Sequence, residues 1–330
     1  MNIRFIQATL ALLQGALAAA AITVFAGSAA AQGAYPTKQI RFVTPFPPGG
    51  NTNTATRLIA DKLSESWGQQ VVAENRPGGN TVIGTDVVAK SPPDGYTILV
   101  TTNAHAVTPL LLTAPYDAIR DFTPVATITR GEWVLAAHPS LPANNLRDFI
   151  ALAKSKPDEL NYASSGGGGA SHLATELFSM MAGIKMRHIP YKGGGPAIPD
   201  LLAGRVQFTF AVPSAVVQHI QNGRLKAIAV SGEKRLPVLP NVPTFTEAGL
   251  PGFDAGYWIG ALAPAGTPTS VLDKMSAEIG RILALPEIRD KLTGLGAEPF
   301  VSTREQFGAL LRADADKFGK VIKAANIKLE

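Results

Sequence analysis

The sequence predicts an α/β fold of two lobes, each with a mainly parallel sheet and flanking helices. Strand-like segments, turns rich in glycine and proline, and helix-like segments alternate along the chain, which is typical of parallel sheets covered by helices. Residues 39–46 have strand character, residues 47–50 read Pro-Pro-Gly-Gly, and residues 54–67 repeat apolar side chains at helical spacing. With 330 residues, of which 46% are hydrophobic, the chain is long enough for two such cores.

The start of the first predicted helix carries three possible caps. Asn51, Thr52 and Asn53 precede the apolar repeat, and each residue type can cap a helix with its side chain. We therefore expect the helix to begin after one of them.

The middle of the chain repeats the same alternation. Predicted strands cover residues 133–137, 160–164, 187–191, 206–211 and 225–230, and predicted helices cover residues 145–154, 171–182, 196–203 and 214–221. Because no low-complexity linker interrupts the pattern, we expect strands to join the lobes, near residues 127–136 and 255–261. This assigns residues 32–130 and 256–330 to lobe 1, and residues 131–255 to lobe 2.

The first 31 residues have the pattern of a secretory signal peptide. Arg4 is the only charged residue before Lys38, residues 8–31 are rich in alanine and leucine, and Ala29 and Ala31 fit an A-x-A cleavage site. The alternative is a membrane anchor, since the apolar run is long enough to span a bilayer. The alanine-rich exit favours cleavage, which predicts a mature protein in the periplasm.

Composition and motifs exclude several function classes. The chain has no cysteine, so disulfides, thiolate metal sites and cysteine nucleophiles are excluded. The net charge of +5 comes from scattered residues, without the basic stripe of a nucleic-acid-binding protein. Nucleotide-binding glycine motifs, a G-x-S-x-G turn and an H-E-x-x-H pair are also missing from the sequence. We expect no cofactor, no metal and no nucleic-acid partner.

Three glycine-rich junctions between predicted strands and helices could bind an anion. Residues 46–53, 164–169 and 192–195 each place glycines where a strand ends and a helix begins. Glycine lets the backbone approach a ligand closely, and the first N–H groups of a helix attract negative charge. Each junction alone can be a simple turn, but three of them on two lobes favour a cleft that grips a carboxylate.

The candidate ligand-binding residues follow from these junctions and from neighbouring strand ends. They are Phe46, Gly49, Gly50, Asn51, Thr52, Asn53, Asn103, Ser164, Ser165, Gly166, Gly168, Gly169, His172, Gly193, Pro213 and Ser214. His172 follows the second glycine loop by one helical turn, so it either holds the shape of that loop or contacts the ligand.

Seven blocks of sequence, taken in order, resemble a known receptor family. The chain contains YPTKQIRFVTPFPPGG, ENRPGG, SPPDGYTILV, LNYASSGGGGASHLATELF, HIPYKGGGPAIPDLLAGRV, LPNVPTFTEAGLPGF and YWIGALAPAGTP. These blocks cover nearly the whole chain from Tyr35 onward and resemble the Bug family, the extracytoplasmic solute receptors of tripartite tricarboxylate transporters.

The resemblance implies a two-lobed periplasmic-binding-protein fold of type II, which closes like a flytrap on a carboxylate. It implies that residues 46–53 and 164–169 grip the ligand mainly through backbone N–H groups, and that the partners are the transporter's membrane components. The protein is expected to be a monomer and not an enzyme.

Two departures from the family pattern bear on the ligand. Asn53 stands where the family commonly has an aspartate, which removes a negative charge near the cleft, and Gly169 stands where a serine is common. We infer a ligand without an amine, such as an aliphatic or aromatic dicarboxylate.

Two other functions remain open on the sequence. A periplasmic hydrolase would use Ser164 or Ser165 with His172, although no activating motif surrounds them. A sensory protein would present the same bound ligand to a membrane kinase instead of a transporter.

Overall fold

The computed structural model describes residues 35–191 and 193–327. The predicted signal peptide, residues 1–31, lies outside the described residues. Within the described part of the chain, no helix combines the length and the apolar character needed to cross a bilayer.

Eleven strands form two sheets. In chain order they are β1 (Ile40–Thr44), β2 (Val71–Asn75), β3 (Thr97–Thr102), β4 (Phe122–Gly131), β5 (Val134–Ala137), β6 (Asn161–Ser164), β7 (Arg187–Pro190), β8 (Phe208–Ala211), β9 (Lys226–Val230), β10 (Tyr257–Pro264) and β11 (Ala297–Pro299). The first sheet has the order β11-β4-β10-β3-β1-β2, and the second has the order β7-β6-β8-β5-β9.

Helices cover both sheets. They are α1 (Asn51–Trp67), α2 (Val82–Ala89), α3 (Ala104–Leu111), α4 (Leu146–Ser155), α5 (Ala170–Ala182), α6 (Ala197–Leu202), α7 (Pro213–Gln221), α8 (Thr269–Leu283), α9 (Pro286–Gly294) and α10 (Arg304–Ala324), with a 3-10 turn over Gly79–Thr81. We call the first sheet with α1–α3 and α8–α10 lobe 1, and the second sheet with α4–α7 lobe 2. The two-lobed α/β architecture predicted from the sequence is therefore present.

The two sheets are mixed, whereas the sequence predicted mainly parallel ones. β10 is antiparallel to both β3 and β4, β11 is antiparallel to β4, and β5 is antiparallel to both β8 and β9. The parallel pairs are β1 with β2 and β3, and β6 with β7 and β8. The reason is topological: β5 and β10 are the strands by which the chain enters a sheet from the other lobe, so each arrives from the opposite end.

The lobes are joined at three places. β4 of the first sheet ends at Gly131 and β5 of the second begins at Val134, while β10 carries the chain back. The third connection is α10, whose Phe318, Val321 and Ile322 pack into a hydrophobic cluster with core residues of lobe 2. The lobes therefore share apolar packing behind the strands that connect them.

Helix α1 begins earlier than the sequence suggested. Gly50, with an extended backbone, is the N-cap, so Asn51, Thr52 and Asn53 form the first helical turn and none of them caps the helix. The cap expected from these three side chains is therefore wrong. Two helices distant from this junction do have side-chain caps, Asn145 for α4 and Thr303 for α10.

We expect Gly260→Ala to destabilise the fold. Gly260 lies on β10, where an added Cβ would sit 2.4 Å from the ring of Phe307. Overpacking of this kind costs about 1–3 kcal/mol of unfolding free energy. Gly280→Ala on α8 is the matched control, because its Cβ would meet its nearest neighbour at an ordinary 3.8 Å and alanine favours helices. Chemical denaturation measures the free energy of unfolding of both variants, and equal values for the two would contradict this packing argument.

Candidate functional site

A cavity of about 1040 Å³ lies between the two lobes. Many of the residues predicted from the sequence line it, namely Phe46, Gly49, Gly50, Asn51, Thr52 and Asn103 from lobe 1, and Ser165, Gly166, Gly168, Gly169, Gly193 and Ser214 from lobe 2. The structure thus brings the glycine-rich junctions of both lobes to one space. Such interlobe clefts at the ends of parallel strands are common ligand sites.

The described lining of this cavity carries no charged side chain. It consists of glycine, proline, small hydroxyl and amide residues, a few aliphatic residues and five aromatic ones: Phe46, Trp133, Tyr191, Phe210 and Tyr257. An anion bound here would have to be stabilised by main-chain dipoles and neutral hydrogen-bond donors.

The N-terminus of α1 forms the lobe 1 side of the cavity. Its N-cap is Gly50, and no side chain caps the first turn. Two hydrogen bonds on the side away from the cavity fix the loop that precedes α1. Asn53 donates from Nδ2 to Asn75 Oδ1 at 2.9 Å, and Asn75 donates from Nδ2 to the Phe46 carbonyl at 2.9 Å. The first N–H groups of α1 therefore lack an intrahelical acceptor and lie at the cavity wall.

The N-terminus of α5 forms the opposing side. Gly169 is its N-cap, again without a side-chain cap, and Ala170 and Ser171 of the first turn line the cavity. Each helix terminus carries about half a unit of positive charge from its aligned peptide dipoles. Two of them thus face, from opposite lobes, one cavity whose described lining is uncharged.

Two imidazoles, the buried His172 and the partly buried His188, fix the lobe 2 loop. The Gly168 N–H donates to His172 Nδ1 at 2.9 Å, so His172 holds the loop rather than contacting the cavity. Ser164 Oγ lies 2.5 Å from His188 Nε2, and it also accepts from the Gly166 N–H at 3.1 Å. The loop geometry therefore depends on two side chains that lie one layer behind the wall.

Both imidazoles are neutral. The rings of His172 and His188 stack with centroids 3.8 Å apart and an angle of 8°. Burial lowers the pKa of His172 to about 3, with a further contribution from His188, and burial lowers the pKa of His188 to about 4. Glu176 approaches His172 Nε2 at 3.9 Å, but burial raises the pKa of Glu176, and its carboxyl bonds the Tyr162 hydroxyl.

Four of the predicted residues do not line the cavity. Asn53, Ser164 and His172 are buried behind it and brace the loops, as described above. Pro213 begins α7 and packs against Gly296 of lobe 1. All four are next to lining residues in the sequence. Their side chains are not part of the wall, because those of Asn53, Ser164 and His172 form hydrogen bonds within the loops and that of Pro213 packs against lobe 1.

Sequence reasoning also missed part of the wall. Residues 77–81 line the cavity in lobe 1, and Asn80 and Thr81 adopt positive φ angles of 54° and 78°. Trp133 and Tyr257 line it where the chain passes between the lobes. The Pro-Gly-Gly of residues 77–79 was a usable signal, whereas nothing in the sequence shows which aromatic residues face the cleft.

Two contacts join the lobes at the rim of the cavity. Asn80 Nδ2 of lobe 1 donates to the Gly167 carbonyl of lobe 2 at 3.3 Å. On another part of the rim, a Cβ added to Gly296 would lie 2.9 Å from Pro213 Cβ. The adjacent Leu295 carbonyl accepts from Asn51 Nδ2 at 3.2 Å, which links this contact to the start of α1.

The serine–histidine pair considered for a hydrolase is not formed. The His172 Nδ1 atom is occupied by the Gly168 N–H, and Ser165 Oγ bonds Ser171 Oγ at 3.0 Å. Ser164 does contact an imidazole, that of His188, but Ser164 is 1% exposed and lies outside the cavity wall. A substrate in the cavity would not reach its hydroxyl.

Comparison with known proteins identifies the family. The sequence profile of the family described as "Tripartite tricarboxylate transporter family receptor" matches residues 55–327. The chain belongs to this receptor family. The resemblance found in the sequence blocks is thereby confirmed, and family and fold are those of solute-binding receptors.

Relatives of this receptor family match along almost their whole length. BugT of Bordetella pertussis is 35% identical over 299 residues, which is 90% of this chain and 92% of BugT. The structure of Rpa4515 of R. palustris with adipate is 38% identical, with a TM-score of 0.80, covering 89% of this chain and 99% of that one. MatC of Rhodopseudomonas palustris, with bound malate, is 33% identical with a TM-score of 0.76, covering 87% and 100%.

Replacement of His172 tests its role behind the loop. We expect His172→Phe to lower the unfolding free energy by about 1–3 kcal/mol, because the buried Gly168 N–H loses its acceptor. His172→Asn should cost less, since its amide oxygen can take the place of Nδ1. Denaturation and hydrogen exchange of the Gly168 amide measure both effects, and equal behaviour of the two variants would contradict the assigned bond.

Acidification tests the neutral imidazoles. His105, His172 and His188 all have a lowered pKa in the fold, each chiefly through burial. Below about pH 6.5 these histidines become protonated in the unfolded chain but stay neutral in the folded chain. The free energy of unfolding therefore falls as the pH falls toward about 4, by up to about 1.4 kcal/mol per pH unit for each histidine.

The control for this pH effect is His172→Asn, which should show a shallower loss of stability between about pH 6 and pH 4. The comparison of variants is needed because the raised pKa values of Glu132, Glu176 and Asp314 act in the opposite direction. Parallel stability curves for the variant and the parent would show that folding does not lower the pKa of His172.

Proposed function

We propose that this protein captures a small dicarboxylate, aliphatic or aromatic, between its lobes and delivers it unchanged to the membrane components of a tripartite tricarboxylate transporter. The observation that carries the proposal is the pair of helix N-termini, α1 and α5, which have no side-chain cap and face one cavity without a charged side chain among its described lining residues. Each terminus offers N–H donors and a positive dipole end to one carboxylate.

This arrangement favours a ligand that has a carboxylate at each of its two ends. One carboxylate would bind at each lobe, so a dicarboxylate would hold the lobes together, which is how ligand binding favours a closed state. The adipate and malate in the structures of two relatives are dicarboxylates of this kind. The five aromatic residues of the wall support an apolar or aromatic middle section.

The absence of a charged carboxylate among the described lining residues supports a ligand without an amine. Asn53, where the family commonly has an aspartate, turns its amide to Asn75 and away from the cavity. An ammonium group would therefore find no opposite charge, and burying it unpaired would be costly.

The proposal includes the cellular context predicted from the sequence. Residues 1–31 would be removed by signal peptidase, and the mature monomer would act in the periplasm, with lobe 1 formed by residues 32–130 and 256–330 and lobe 2 by residues 131–255. The sensory alternative shares the same binding chemistry and differs only in the membrane partner.

A carboxylate screen tests the proposal. Residues 32–330 would be titrated calorimetrically with mono-, di- and tricarboxylates and with aspartate and glutamate. We expect a dicarboxylate to bind and to raise the melting temperature as RT ln(1 + [L]/Kd) predicts, and to be recovered unchanged. Tight binding confined to the amino acids would contradict the proposed ligand class, and turnover of the ligand would contradict the receptor function.

A proline variant tests the main-chain donors directly. Ala170 is the first residue of α5 and follows an extended Gly169, a position where proline fits but removes the N–H. We expect Ala170→Pro to weaken dicarboxylate binding by roughly tenfold to a hundredfold, the value of a hydrogen bond to a charged group. Thr269→Pro, at the first residue of the distant α8, is the matched control and should bind normally. Equal affinities would rule out the α5 terminus as the anion site.

A further inference from the structure

Gly296 of lobe 1 and Pro213 of lobe 2 meet at the rim of the cavity in a contact that leaves no room for a side chain on the glycine. A Cβ added to Gly296 would lie 2.9 Å from Pro213 Cβ and 3.1 Å from both its Cγ and its Cδ. The ring of Pro213 therefore occupies the space that the Cβ of any other residue at position 296 would need. We call this space the seat.

Each partner of this contact is fixed within its own lobe. Gly296 lies between the end of α9 and the start of β11, where Ala297 pairs with Gly131 of β4. Pro213 is the first residue of α7, whose Val216 is fully buried in the core of lobe 2. Because a proline ring has no flexible end that could move aside, a clash at the seat would have to be relieved by moving one lobe away from the other.

The seat is linked to the cavity from both lobes. The Leu295 carbonyl accepts from Asn51 Nδ2 at 3.2 Å, and Asn51 is the first residue of α1 and lines the cavity. Ser214 and Ala215, which follow Pro213 on α7, also line the cavity. The distance between Gly296 and Pro213 therefore depends on the distance between the two walls of the cavity.

The backbone of Gly296 gives a separate reason for glycine, which a control has to reproduce. Its φ of 72° lies in the left-handed region, which other residues adopt only at a cost. Gly223, after the end of α7, has nearly the same φ of 69°, but a Cβ there would meet no atom within 4 Å. The two glycines share the backbone requirement, and of the two only Gly296 has a steric requirement from the opposite lobe.

We propose that Gly296 is a positioning residue for ligand binding, because its missing side chain lets Pro213 enter the seat and so lets the lobes close on the carboxylate. The inference rests on the proposed function, in which a ligand that touches both lobes favours the closed state. A side chain at position 296 would hold the lobes apart. The closed state would then be less populated, and the apparent affinity would fall in proportion.

Titration of matched glycine variants tests the seat. Wild-type protein, Gly296→Ala and Gly223→Ala would be titrated calorimetrically with succinate, malate, adipate and phthalate. We expect Gly296→Ala to weaken the binding of the tightest of these acids by roughly tenfold to a hundredfold, the value of an overpacked contact. Gly223→Ala should bind like the wild type, because its added Cβ meets no neighbour.

Removal of the proline ring should rescue the binding. Pro213→Gly takes away all three ring atoms that the new Cβ of Gly296→Ala would meet. The double variant should therefore bind more tightly than Gly296→Ala alone and close to the affinity of Pro213→Gly alone. If the two substitutions weakened binding additively, the loss in Gly296→Ala would not come from the contact across the lobes, and the seat would be overturned.

The melting temperature of the unliganded variants separates closure from support of the fold. Gly296→Ala and Gly223→Ala should lower it by similar amounts, because open lobes avoid the clash and only the shared backbone cost remains. A clearly larger loss for Gly296→Ala would show that the contact supports the fold without cargo, which would contradict the inference.

The affinities also distinguish the seat from the proposed function. If Gly296→Ala bound the acids as tightly as the wild type, the seat would be overturned and the proposed function would stand. If the wild type bound none of the four acids, the proposed function would fail and the seat would fail with it.

Discussion

The first-turn N–H groups of α1 and α5 depend on an acceptor that no side chain of the described protein supplies. Among the other described α-helices, α4 and α10 satisfy one such donor with Asn145 or Thr303, and the rest have no side-chain cap. At the cavity the capping position is glycine in both lobes, which leaves donors free and lets a ligand approach the backbone. In the proposed function, the helix termini take the place of the arginine or lysine that a carboxylate site would otherwise need.

This constraint explains why the bracing residues behind the loops are neutral. A protonated imidazole at His172 would place its Nδ1 proton against the Gly168 N–H. It would also add a positive charge beside the N-terminus of α5. Burial keeps the stacked pair of His172 and His188 unprotonated, and Asn53 with Asn75 does the same work in lobe 1 without a charge. The side chains behind the loops thus fix their shape without adding a charge, and the main chain together with neutral hydroxyl and amide side chains presents polarity to the cavity.

The connection between the lobes places recognition close to the hinge. β4, β5 and β10 carry the chain across. Tyr257 begins β10, Trp133 lies in the connection between β4 and β5, and both line the cavity. The rim contacts, by contrast, are small: one exposed hydrogen bond from Asn80 and the packing of Pro213 on Gly296. In the proposed complex, a ligand between the two helix termini would therefore provide much of the interaction between the opposing faces of the cleft.

The sequence by itself determined the alternation of strands and helices, the two-lobed architecture and the three glycine-rich junctions, because these follow from hydrophobic spacing and from the backbone freedom of glycine. It also indicated the family, since seven short blocks occur in the family's order. The tertiary structure alone decided which side chains face the cavity. Ser164, His172 and Asn53 adjoin the glycine loops in sequence yet turn behind them. Trp133 and Tyr257, in contrast, reach the cavity from the connections between the lobes, which are distant in sequence from both loops. Sequence patterns indicate local conformation. The direction of a side chain at a junction depends on which neighbouring group forms a hydrogen bond with it, and the packing of the whole chain decides which group that is.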